Sequence, residues 1–129
     1  MTSTAITTAI LSALAEEQHD LIERLHQPVQ VRHAGRDFWL GNLYGQPVVL
    51  ALSKMGKVAA ATTATALIER FGVRRLVFTG VAGGLGCGVN VGDVVVGRSF
   101  VQHDLDVPPL FPRYEVPLYG KPGLTLMLL

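Results

Sequence analysis

Leu67-Ile68-Glu69-Arg70-Phe71-Gly72-Val73-Arg74-Arg75-Leu76-Val77-Phe78-Thr79-Gly80-Val81-Ala82-Gly83-Gly84 is the stretch that decides the fold. Its first residues close a helix predicted from Lys57 to Phe71. There Ala60, Ala64, Leu67 and Phe71 make one stripe, with Thr62, Thr65 and Glu69 opposite. Gly72 stops the helix. Arg74–Thr79 then reads as a strand of the buried type, and a glycine-rich loop follows it directly. Helix, strand and glycine loop in that order are the grammar of an α/β domain, with the loop at the carboxyl edge where open sheets take ligands.

Working outward, Ala9-Ile10-Leu11-Ser12-Ala13 is a short apolar run suited to a buried strand. Leu14, Leu21 and Leu25, set among Glu16, Glu17, Asp20 and Glu23, predict an amphipathic helix that Pro28 ends. Val29–His33 and Asp37–Leu43 read as strands joined at Ala34-Gly35-Arg36. Gly45-Gln46-Pro47 turns into a third strand, Val48–Leu52. Beyond the glycine loop, Asp93–Val101 reads as a strand headed by Val94-Val95-Val96. After His103 the chain is proline-rich, with no periodicity, through Pro108, Pro109, Pro112 and Pro117. The helices are expected to pack on a mixed sheet.

Composition narrows the function. The chain has 129 residues, 49% hydrophobic and 16% charged, enough for one domain with a core. Eleven Lys plus Arg against ten Asp plus Glu give a net charge of +1, which supplies no electrostatic reason for nucleic acid or a membrane surface as partner. No segment is long and apolar enough to span a bilayer. Ala13-Leu14-Ala15 has the look of a signal-peptidase site, yet no Lys or Arg precedes it and Thr7 and Thr8 interrupt the apolar stretch. One cysteine, Cys87, excludes an internal disulfide and suits a reducing compartment, so a cytoplasmic location is expected.

Six of the 14 glycines fall between Gly80 and Gly92. Without Cβ atoms they let backbone amides approach a sugar or base; they could equally form no more than a tight connection. A dinucleotide fingerprint at Gly84-Leu85-Gly86-Cys87-Gly88 fails, because a valine-rich strand is expected after it in place of a helix. A Walker A loop ending at Gly56-Lys57 fails because Ala51 replaces the first glycine and Val58 the hydroxyl residue. Glu16 and Glu17 open the first helix. Its dipole alone favours acids there, and the alternative is that one of them activates water over the sheet edge. His103-Asp104-Leu105-Asp106 has metal-capable atoms, but strand alternation would divide them between two faces, and no metal site is expected. His19, His26 and His33 read as unpartnered surface residues, and Cys87 as a small packed side chain.

Taken in order, Ala9–Glu17, Ser53-Lys54-Met55-Gly56-Lys57-Val58-Ala59-Ala60, Thr79-Gly80-Val81-Ala82-Gly83-Gly84-Leu85, Val91-Gly92-Asp93-Val94-Val95-Val96 and His103-Asp104-Leu105-Asp106-Val107 make the chain resemble the N-terminal half of the 5′-methylthioadenosine/S-adenosylhomocysteine nucleosidases, of the purine nucleoside phosphorylase superfamily. The likeness runs from Ala9 to about Gly120. It implies a three-layer α/β/α sandwich with a mixed central sheet, incomplete here, with residues 1–129 forming the N-terminal part of a single domain. It also implies hydrolysis of the N-glycosidic bond of adenosine-type thionucleosides in methionine salvage, with no cofactor.

Residue by residue, the resemblance makes Glu17 the carboxylate that positions or activates the attacking water. Val81, Ala82 and Gly83 run past the ribose and adenine, and Met55 is an apolar contact to the nucleoside. Leu110 and Phe111 lie in the loop that lends an apolar wall to a neighbouring subunit's pocket, which implies a homodimer. The family's general acid would fall beyond residue 129, and the apolar run Leu124–Leu129 is one that would need covering. The sequence is therefore expected to be a truncated or tail-altered member, inactive alone. The alternatives are a purine nucleoside phosphorylase and a catalytically dead nucleoside-binding remnant. Phe78 stands where the phosphorylases carry a phosphate-binding arginine, and Val81 where they favour a hydroxyl residue. Water is thus expected as nucleophile over phosphate.

Overall fold

The computed structural model describes residues 8–122 and 124–125; Leu126 to Leu129, the rest of the apolar run, lie outside them. The chain divides into two compact units, Met1–Gly83 and Gly84–Leu129.

In the first unit, apolar residues of the expected periods form five strands and two helices. They are β1 (Thr8–Ser12), α1 (Ala15–Glu23), β2 (His26–His33), β3 (Arg36–Leu43), β4 (Gln46–Leu52), α2 (Lys57–Phe71) and β5 (Arg75–Phe78). The sheet order is β2-β3-β4-β1-β5. β2, β3 and β4 form an antiparallel meander, while β1 runs parallel to both β4 and β5, so the sheet is mixed.

Side chains alternate between the two faces of each strand, so each face gathers its own core. Ala9, Leu11, Phe38, Val49 and Ala51 pack with Leu67 of α2 and with Val73 on one face. Leu25, Val48 and Leu50 pack with Ile10, Leu21 and Ile22 on the other, where α1 lies. The helices therefore cover opposite faces, and the three-layer α/β/α arrangement follows. Phe38 and Phe71 fasten β3 to α2, with ring centroids 4.8 Å apart at 42°. Gly72, at φ 66°, ends α2 in the left-handed region that glycine enters without penalty.

Several expectations are corrected. α1 stops at Glu23, well short of Pro28, because Leu25 turns into the core and β2 has begun by His26. Pro28 sits within β2 where the register shifts between His26 and Val29, a place a residue without an N–H can occupy at a sheet edge. β5 is an edge strand and not a buried one: Val77 is 40% and Phe78 61% exposed.

In the second unit, Asp93–Val101 forms no continuous strand. Only Ser99–Phe100 (β6) is one, pairing with Leu124–Thr125 (β9), while Val94, Val95 and Val96 are exposed. β-branched residues do not make a strand without a neighbour to share the ladder, and among the described residues those three have none. Glu115–Val116 (β7) pairs with Lys121–Pro122 (β8). Cys87 is exposed, since the flanking Gly86 and Gly88 bring no side chains to pack on it. Residues 103 and 104 form a turn and 105 and 106 an irregular segment where strand alternation was expected, and Asp106 pairs with Arg113 at 3.5 Å. His19 is exposed but does have a partner, Glu23 at 3.2 Å.

Candidate active site

Because β1, β4 and β5 are parallel, Ser12, Leu52 and Phe78 end at one edge of the sheet. The chain leaves β1 for α1 on one face and leaves β4 for α2 on the other. Neighbouring connections that part in this way open a crevice at the carboxyl edge.

Glu17 stands at that edge, in the first turn of α1. Its Oε2 accepts the N–H of Ala13 and of Leu14, both at 3.0 Å. This is half of a capping box: the glutamate serves the N-cap backbone, and Leu14 has no side-chain acceptor with which to reciprocate. Capping does not account for the third bond. Oε1 accepts the N–H of Val81, 64 residues away, at 3.1 Å. The carboxylate thus joins the loop after β1 to the glycine loop after β5. Gly80 makes the approach possible, since a Cβ there would lie 2.9 Å from Oε1. The Leu14 and Val81 amides hold the Glu17 carboxyl below its ordinary value of 4.5; desolvation opposes them, and the Ala13 amide adds to the lowering.

A carboxylate offers roughly four acceptor positions, of which three are taken, so one remains on Oε1. An ionised group with one open acceptor is suited to orienting a water molecule. Its lowered pKa makes it a weak proton acceptor, so it serves better to hold the water than to deprotonate it early.

Glu16, its neighbour, points to solvent, so the first-turn pair is divided between one inward and one outward acid. Val81 is 85% exposed and is followed by Ala82 and Gly83, also exposed. Met55, just past the end of β4 on the same edge of the sheet, is 77% exposed. Leu110 and Phe111 belong to the second unit, where Leu110 is exposed and Phe111 half-buried, its amide on the Val107 carbonyl at 3.3 Å. Among the described residues no group of three or more His, Cys, Asp and Glu could hold a metal ion. No helix there is long and apolar enough to cross a membrane.

Three further residues of the site belong to no recognised catalytic motif. Ser12 Oγ and Thr79 Oγ1 lie 3.0 Å apart, and Ser53 donates its N–H to the Ser12 carbonyl at 2.8 Å. Ser12 and Ser53 are buried at 0% and 1% exposure. The signal was present: each of the parallel strands closes on a hydroxyl residue, in Ile10-Leu11-Ser12, Ala51-Leu52-Ser53 and Val77-Phe78-Thr79.

The chain is similar to known proteins in sequence and fold. A family model described as the phosphorylase superfamily matches residues 7–127. A protein of Bacillus thuringiensis named 5′-methylthioadenosine/S-adenosylhomocysteine nucleosidase is 40% identical over 117 residues, 90% of this chain and 48% of its own. One of Campylobacter jejuni named aminodeoxyfutalosine nucleosidase is 37% identical over 120 residues, 93% of this chain and 51% of its own. Among solved structures, a methylthioadenosine/S-adenosylhomocysteine nucleosidase of Colwellia psychrerythraea in complex with adenine superposes with a TM-score of 0.89 at 34% identity. That match covers 95% of this chain and 50% of the other. The chain spans about half the length of the relatives it matches.

Proposed function

The chain belongs to the phosphorylase superfamily, and on that premise we propose that it carries the water-holding side of an N-glycosyl hydrolase site for adenosine-type thionucleosides. The observation that carries this reading is the Glu17 carboxylate, gripped by amides of two loops and left with one acceptor position on Oε1. Relatives named as nucleosidases, one of them with adenine bound, support the substrate class.

Hydrolysis breaks the bond between the anomeric carbon and the purine nitrogen. The leaving base takes the bonding pair and a proton, and water adds its oxygen to a sugar with oxocarbenium-like character. Glu17 orients that water and, once the new C–O bond has formed, receives its proton. Its negative charge also favours the cationic sugar at the transition state. Val81, Ala82 and Gly83 border the sugar and base, and exposed Met55 adds an apolar surface for the nucleoside. Protonation of the leaving base is not assigned to any described residue. The loop bearing Leu110 and Phe111 lends its apolar side chains to a second copy in a homodimer, and the protein works in the cytoplasm.

Adenine release from methylthioadenosine, followed with and without phosphate, tests the reaction. From a form that also supplies the general acid, release in phosphate-free buffer is expected, and strict dependence on phosphate would make it a phosphorylase; residues 1–129 alone are expected to release none. Aminodeoxyfutalosine is the substrate to compare, because the relative carrying that name is of similar identity.

A further inference from the structure

We infer that the Ser12–Thr79 hydroxyl pair is a positioning device for Glu17, setting the separation of the two loops that grip its carboxylate and so the direction of the remaining Oε1 lone pair. The inference rests on the proposed role of Glu17 as the carboxylate that holds water.

The backbone ladder between β1 and β5 ends with the Thr79 N–H donating to the Leu11 carbonyl at 2.9 Å. One step further the strands diverge, β1 toward α1 and β5 into the glycine loop. At that step the only direct link among the described residues is the side-chain pair, with Ser12 Oγ and Thr79 Oγ1 at 3.0 Å. Ala13 and Leu14 lie just past Ser12, and Gly80 and Val81 just past Thr79. The hydroxyl bond therefore ties the roots of both sets of amides that Glu17 bridges. On its other side Ser12 is fixed to β4, its carbonyl accepting the N–H of Ser53 at 2.8 Å; the Ser53 hydroxyl lies 3.3 Å from that carbonyl and has the Lys54 carbonyl as its nearer acceptor, at 2.8 Å. Ser12 is fully buried and so cannot drift. Thr79 is the partner free to move if the bond is lost, and the glycines after it resist little. Release of Thr79 lets the Val81 N–H draw away from Oε1. The Ala13 and Leu14 bonds, on the β1 side, stay in place.

The test is an NMR titration of the labelled full chain, reading the Glu17 carboxyl carbon and the Val81 amide proton, with Glu17→Gln used to assign both. In the wild type the Val81 amide is expected to titrate with Glu17. In Thr79→Val, and in the Ser12→Ala/Thr79→Val double variant, that coupling is lost and the carboxyl midpoint moves up toward its ordinary value. Thr79→Ser keeps the oxygen and restores both. The double variant guards against misfolding, because removing both partners leaves no buried hydroxyl unpaired. Coupling and midpoint unchanged in the folded double variant would overturn the inference, as would failure of Thr79→Ser to restore them. Adenine release on the same samples is a separate readout. Where it is present, kcat should fall about tenfold with KM unchanged, in line with a sub-ångström misplacement of the water. Coupling lost as expected supports the positioning whether or not the sample releases adenine, and strict phosphate dependence where release is seen would count against the proposed reaction alone.

Discussion

Replacing Gly80 by alanine puts one methyl group against the carboxylate that the whole site is built around. The added carbon would lie 2.9 Å from Glu17 Oε1, 3.2 Å from its Cδ and 3.3 Å from its Oε2. Ordinary contact begins at 3.4 Å, so Oε1 must retreat by about 0.5 Å. Its bond from the Val81 N–H, now 3.1 Å, would lengthen to roughly 3.6 Å, where it ceases to be a hydrogen bond. A 1 Å misplacement can lower a rate by about 10²-fold, so half that distance corresponds to about tenfold. Stability should not follow the rate. Gly80 is not among the glycines of positive φ, and at such positions Gly→Ala usually stabilises by about 0.4–1 kcal/mol through the unfolded chain. The assays are urea unfolding for stability and, in a form that also supplies the general acid, adenine release for kcat. The expected result is a tenfold slower enzyme whose unfolding midpoint is no lower than the wild type's. A rate within twofold of wild type would refute the reasoning, and so would a large loss of stability, which would mean that the backbone and not the carboxylate had yielded.

Three further outcomes are expected. Glu17→Gln should cut the rate of adenine release by about 10²-fold or more while Glu16→Gln leaves it near wild type, since only the first carboxylate faces the glycine loop. The fold lowers the Glu17 pKa, so its charge adds stability at neutral pH. That contribution is complete above the ordinary 4.5 and is lost as the pH falls through the lower folded value. The stability gap between wild type and Glu17→Gln, followed by urea unfolding against pH, should therefore narrow only below that point. Phe38→Ala empties a fully buried position against Phe71 and should cost about 3–5 kcal/mol in the same unfolding measurement.

Long local patterns were the most legible part of the fold. α2 runs from Lys57 to Phe71 as read, because its alanine stripe and Gly72 specify start, face and stop without help from distant residues. Failures came where tertiary partners decide. Pro28 by itself reads as a helix stop, yet a sheet edge with a bulge accommodates it. Val94-Val95-Val96 has strand propensity, but propensity does not supply a neighbouring ladder. Glu17 could be singled out by resemblance. Its bond to Val81 could not be read from spacing, since it depends on two strands lying side by side. The hydroxyls at the three strand ends are visible in the sequence, but serine and threonine are also ordinary strand terminators, so their residue types alone do not single them out.

The central place of β1 also governs the order in which the molecule is made. It is the first strand of the sheet to be synthesised, yet its partners come late: Ser12 meets Ser53, 41 residues on, and Thr79, 67 residues on. The meander of β2, β3 and β4 needs only short loops to close, and short loops close at little entropic cost. On the ribosome the meander can therefore form while β1 still waits, and β1 is locked in only when β5 has emerged. Glu17 can acquire its third amide only after Val81 has emerged, when every strand of the first unit has already been made.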